Sequence, residues 1–120
     1  MIEDTSFGKV KFDGKEYNYD IVVLPDGIIK REKQISKSKH GTSHKFSEEE
    51  MKTYLNVVDR PIEKVIVGTG QYGKLHLLDE TKEMLREKGI VWTEMKTPEL
   101  VEESSKFDRD NSIVIIHVTC

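Results

Sequence analysis

Lys64-Val65-Ile66-Val67-Gly68-Thr69-Gly70-Gln71-Tyr72-Gly73 is the stretch that decides the fold. A short run rich in Val and Ile ends abruptly in glycines, as a buried strand does when it delivers a loop. Glycine lets the backbone take positive φ, or lets a neighbour come close. The stretch therefore reads as the central strand of an α/β sheet, with its loop at the sheet edge where open α/β folds bind ligands.

Working outward, Ile90 to Met95 reads as a second strand, with a helix from Asp79 between the two. Asp79 is placed to cap that helix and Gly89 to stop it. A strand–helix–strand crossover makes the two strands parallel. Thr97-Pro98 then opens a third helix, threonine as cap and proline in its first turn, with Leu100, Val101 and Phe107 facing the sheet. Ile113 to Thr119 is almost continuously apolar, a strand buried on both faces.

On the N-terminal side, Ser47-Glu48-Glu49-Glu50 is a capping box. Met51, Tyr54, Leu55 and Val58 follow on one helical face. Val10 and Phe12 alternate with lysines, Asp13-Gly14 makes a hairpin turn, and the return strand spans Glu16 to Leu24. A third short strand covers Ile28 to Arg31. Between them, residues 30–45 carry Lys30, Arg31, Lys33, Lys37, Lys39 and Lys45 amid serines and glycine, which predicts an exposed, mobile basic loop. The fold class predicted is α/β: residues 1–120 form a single three-layer domain with a mixed central sheet. An N-terminal antiparallel β unit precedes α-β-α-β-α-β.

Composition narrows the function classes. A net charge of −3 gives no pull towards nucleic acid or anionic membrane. No apolar run approaches the roughly 20 residues of a membrane helix, and Met1 to Thr5 does not read as a secretory signal. The single cysteine, Cys120, precludes an internal disulfide and fits the reducing cytoplasm.

Gly41-Thr42-x-His44, Val65-x-Val67-Gly68-Thr69-Gly70, the helix opened by Thr97, and the ending His117-x-Thr119-Cys120 occur in that order. Together they resemble the family of the adipogenesis-associated domain-containing protein, which includes a mitochondrial assembly factor for respiratory NADH dehydrogenase. The resemblance runs from the first hairpin to the last residue. It implies a compact three-layer α/β domain without known enzymatic activity, whose characterised members act in assembly or regulation. The chain departs from the family at Lys30 to Lys33 and in the helix after Thr97.

Several other readings are outweighed. Gly68 to Gly73 literally matches G-x-G-x-x-G, with Glu94 where a ribose-binding acid would stand. That motif must open a helix directly, and here Lys74 to Leu78 intervene. A smaller anion held by the loop's N–H groups fits better. His40, His44, His76, His117 and Cys120 do not make the paired spacing of a structural metal site, so no metal or other cofactor is expected. Cys120 with His117 or His44 gives two parts of a nucleophile set, and a carboxylate beside Cys120 would disfavour its thiolate. The basic run lacks interleaved aromatics for base stacking. The reading is therefore a non-catalytic protein-interaction or assembly module with a protein partner, and no nucleic-acid or membrane partner. The alternative is a small-molecule or anion binder, or a cryptic enzyme, using Gly68 to Gly73. Its expected ligand-binding residues are Gly68, Thr69, Gly70 and Gln71, with His44 from the preceding loop brought in by the resemblance and Thr97 from the same strand edge.

Overall fold

The computed structural model describes residues 2–120, so Met1 lies outside it. Five strands form one mixed sheet: β4 (Ile21–Leu24), β5 (Gly27–Lys30), β7 (Lys64–Gly68), β9 (Val91–Met95) and β10 (Ser112–Ile116). Their order is β5-β4-β10-β7-β9. β10 runs parallel to β7 and antiparallel to β4, and β7 and β9 are parallel with Ile66 opposite Thr93. The parallel crossover read from the sequence is present. The centre is not: β10, not the Lys64 strand, occupies the middle. Ser112 to Ile116 is buried at every position, as a strand covered on both faces must be.

Alternation along these strands sorts the core into two layers of contact. Val22, Val65, Val67, Ile113 and Ile115 pack on one side with Phe46, Met51, Tyr54 and Leu85. The last three belong to α2 (Glu48–Val57) and α3 (Asp79–Glu87). Ile21, Val23, Ile66, Val114 and Ile116 pack on the other side with Ile2, Val10, Phe12 and Leu100. That third layer is α4 (Thr97–Glu103) beside a three-stranded antiparallel sheet of β1 (Ile2–Ser6), β2 (Lys9–Phe12) and β3 (Lys15–Tyr17). The single three-layer α/β domain expected from the sequence is the architecture observed.

Local differences have identifiable causes. The return strand expected from Glu16 to Leu24 is two strands in two sheets, because Asn18 to Asp20 carry the chain from one layer to another. The predicted basic loop over residues 30–45 is corrected: it contains α1 (Gln34–His40), stopped by Gly41 at φ 77°. Arg31 is only 3% exposed and Ser36 is fully buried, so this segment is anchored in the interior. β6 (Lys45–Phe46) then pairs in parallel with β8 (His76–Leu77), joining this segment to the chain that leaves the glycine loop. Ser47 caps α2 as read, accepting from the Glu50 N–H at 3.1 Å, but the box is not reciprocal: the Ser47 N–H donates to Ser36 Oγ at 3.0 Å and not to Glu50. Asp79 and Thr97 do not cap their helices; Leu78 and Lys96 hold those positions. Among the described residues, no helix is long and apolar enough to cross a membrane.

Candidate functional site

β7 ends at Gly68, against the start of α4. A Cβ on Gly68 would lie 2.8 Å from Leu100 Cδ2 and 3.0 Å from Thr97 Oγ1, so the absence of a side chain is what lets helix and strand meet. Thr97 uses its hydroxyl twice: it donates to the His117 carbonyl at 2.7 Å and accepts from the Gly70 N–H at 3.0 Å. Its own N–H donates to the Gly70 carbonyl at 3.1 Å. Thr97 is therefore a tie between three segments. Gly70 sits at φ 103°, and a Cβ there would fall 2.4 Å from the Cys120 carbonyl carbon and 2.6 Å from His117 Cδ2.

The loop's N–H groups point at the last residues of the chain. Gln71 donates to Thr119 O at 2.7 Å, and Tyr72 and Lys74 donate to Cys120 O at 3.2 and 2.9 Å. The Gln71 side chain reaches Thr5 Oγ1 at 3.1 Å. Thr69 is buried, its N–H and hydroxyl both donating to Met95 O, at 2.8 and 3.1 Å. The N–H donors of Thr69, Gln71, Tyr72 and Lys74 in the expected anion nest are thus engaged by the chain's own carbonyls, and that of Gly70 by the Thr97 hydroxyl. The loop leads into β8 and not directly into a helix, the geometry that a dinucleotide fingerprint lacks.

His117 joins this loop to a buried polar chain. Its Nδ1 lies 2.7 Å from Asp20 Oδ2, and Asp20 Oδ1 accepts from the Val118 N–H at 2.9 Å. Burial pushes the Asp20 carboxyl up, but the hydrogen bond and charge of His117, the Val118 N–H and Arg31 together hold it below its ordinary value of 3.8. An ionised carboxylate only accepts, so His117 Nδ1 carries the proton. The His44 ring stands edge-on to His117 with centroids 5.3 Å apart. Desolvation and then the neighbouring His117 and Arg31 charges lower the His44 pKa below 6.5.

From Asp20 the chain continues inward. Arg31 Nη1 donates to Asp20 Oδ2 at 3.0 Å, and Arg31 Nε and Nη2 donate to the two oxygens of Glu50 at 2.8 and 3.1 Å. Ser36 Oγ and Tyr54 OH each donate to Glu50 at 2.6 Å. Arg31 Nη2 also donates to Ser43 O at 2.7 Å, holding the segment that carries His44. Burial and then Glu50 push the Tyr54 phenol well up, so it stays a donor.

The structure thus brings Gly68, Thr69, Gly70, Gln71 and Thr97 to one end of the sheet, and His44 meets them through His117. Asp20, Arg31, Ser36 and Tyr54 were not among the sequence-expected site residues, nor was Glu50, read only as a helix-start acid. One signal was present: Glu50 lies four residues before Tyr54, on the apolar face of its helix, where a carboxylate needs a buried partner. Among the described residues, no group of three or more His, Cys, Asp or Glu is arranged to hold a metal ion.

Beside this joint stands an aromatic pair. Phe7 and Tyr72 are 56% and 66% exposed, with ring centroids 6.1 Å apart. Each sits on a turn bonded to the C-terminal segment: the Gly8 N–H donates to Val118 O and that of Gln71 to Thr119 O, both at 2.7 Å.

Comparison with known proteins gives a family and a fold. The model of a family described as "Protein of unknown function (DUF498/DUF598)" matches residues 2–103. The crystal structure of the conserved hypothetical protein PH1505 from Pyrococcus horikoshii OT3 is 43% identical. The match covers 100% of this chain and 99% of that one, with a TM-score of 0.88. A solved structure titled MT938 is 36% identical over 100% of this chain and 98% of that one, with a TM-score of 0.68. The NMR structure of Xanthomonas campestris XCC1710 shares 12% identity over 98% and 83% of the two chains, TM-score 0.69, a likeness of fold alone. No curated protein matches.

Proposed function

The chain belongs to the DUF498/DUF598 family of proteins of unknown function, and from that premise we propose that it is a non-catalytic protein-interaction module of the assembly or regulatory kind. The observation that carries the reading is the Phe7–Tyr72 pair, two large exposed rings side by side on turns pinned to the same C-terminal segment. Single exposed apolar residues are ordinary. Adjacent aromatics presented on anchored backbone resemble the anchors at which protein interfaces concentrate their binding energy. The resemblance to the adipogenesis-associated family supports the same reading, since its characterised members act by assembly. The single cysteine fits a reducing compartment, so the cytoplasm is the proposed location.

A ligand in the Gly68–Gly73 loop is the competing reading. It would have to displace the Thr119 and Cys120 carbonyls from the N–H groups of Gln71, Tyr72 and Lys74. Native mass spectrometry of the purified chain separates the two. The interaction reading expects a reproducible protein partner in affinity capture and no small molecule whose binding depends on the Gly68–Gly73 loop. A metabolite bound in that loop, or turnover of one, with no reproducible partner overturns it.

A further inference from the structure

At the other end of β10 from the glycine loop, a cleft of about 220 Å³ opens between the three-stranded and five-stranded sheets. Its walls are apolar: Ile2 and Phe12 from one sheet, Val23 and Val114 from the other, and Phe107 from the α4–β10 connection. Its lining includes one charged side chain, Arg109. Arg109 lies over the Phe12 ring, its guanidinium carbon 5.4 Å from the centroid, and its Nε donates to Leu24 O at 3.2 Å. These contacts hold the guanidinium against the cleft's lining. Nη1 faces Asp13 at 3.5 Å across a solvent-exposed pair, a geometry of little net strength. Nη2 makes no hydrogen bond among the described residues. Ser105 adds a hydroxyl to the same lining.

We propose that this cleft binds a small amphipathic monocarboxylate, its hydrocarbon body against Phe12, Val23, Phe107 and Val114 and its carboxylate on Arg109. The charge fixes the polar end: a planar guanidinium with unused donors is matched by a carboxylate. Volume fixes the size. The cleft's volume of about 220 Å³ suits a short chain or a single ring. Neither the glycine loop nor the aromatic pair takes part, so this site stands or falls apart from the interaction reading.

The test is a titration of the full-length chain with sodium hexanoate, followed by amide and methyl NMR shifts, beside 1-hexanol and sodium chloride. The expected result is saturable hexanoate shifts at Ile2, Val23, Phe107 and Val114. Hexanol should bind more weakly, and Arg109→Gln should weaken hexanoate at least tenfold while leaving hexanol unchanged. Ser105→Tyr, at an exposed position that tolerates a larger side chain, should block both probes and serves if Arg109→Gln fails to fold. The proposal is overturned if hexanoate gives no saturable shifts, if chloride alone reproduces them, if they map elsewhere, if Arg109→Gln binds hexanoate as the parent does, or if Ser105→Tyr leaves binding intact.

Discussion

Arg31 grips Glu50 with two hydrogen bonds, Nε to Oε2 at 2.8 Å and Nη2 to Oε1 at 3.1 Å, and neither side chain is reached by solvent. Nineteen residues separate them in sequence. The pair fastens the segment before α1 to α2, and through Asp20 it continues to His117 at the glycine loop. A buried pair of this kind is no guarantee of net stability, but losing one member strands the other.

Arg31→Met should therefore cost about 3–5 kcal/mol in urea unfolding. Adding Glu50→Gln to it should recover part of that loss, because the stranded charge is gone. A loss under about 1 kcal/mol for Arg31→Met, the range of an exposed pair, would contradict the buried network.

Thr97→Val keeps the shape and removes both hydroxyl bonds, leaving the His117 carbonyl and Gly70 N–H without that partner. The expected cost is about 2–6 kcal/mol, at roughly 1–3 kcal/mol for each buried group left unsatisfied. Thr97→Ser keeps the hydroxyl and should lose about 1 kcal/mol or less. Equal effects of the two variants would show that the hydroxyl is not the tie.

These two ties mark where pattern reading stops. β7, β9 and β10, the Ser47 cap and the β7–β9 crossover were legible because periodicity and capping are local, and the end of the sheet that gathers Gly68, Gly70 and Thr97 followed from parallel topology; β1, β6 and β8 were too short or too polar to read. Arg31 and Glu50 were not legible as a pair. Read by composition, Arg31 joined an exposed basic loop and Glu50 a helix start, whereas the contact between them is made only once the layers close. β10 took the centre because it is buried on both faces, a property its unbroken apolar run displayed. Thr97 had the residue type and position of a cap, but its hydroxyl is engaged by His117 and Gly70.

Stability should fall in two steps on acidification. The His44 pKa is lowered on folding, so its contribution is present above the unfolded value of 6.5 and lost as pH falls through the lowered folded value. Asp20 is lowered as well, so its contribution is present above 3.8 and disappears as pH falls below that. Urea unfolding across pH 7 to 2 would show the steps, and His44→Phe should erase the upper one alone. An upper step retained in that variant assigns it elsewhere.

Gly70→Ala should be far more damaging than Gly41→Ala. Both have positive φ, but a Cβ at Gly41 meets nothing within 4 Å, while one at Gly70 overlaps Cys120 and His117. The strained backbone alone costs about 1–2 kcal/mol. Overpacking should bring Gly70→Ala to roughly 3 kcal/mol or more. Similar melting temperatures for the two variants would contradict the close approach of the C-terminal segment.

The interaction reading is tested most directly by quantitative affinity capture with three baits: the parent chain, Phe7→Ser/Tyr72→Ser, and Val57→Ser, which removes an exposed apolar residue elsewhere. Phe7, Tyr72 and Val57 are all more than half exposed, so each bait should keep its fold and melting temperature. The expected result is a reproducible partner retained by the parent and by Val57→Ser and depleted at least tenfold by the double variant. A partner set that the double variant captures as fully as the parent would contradict it.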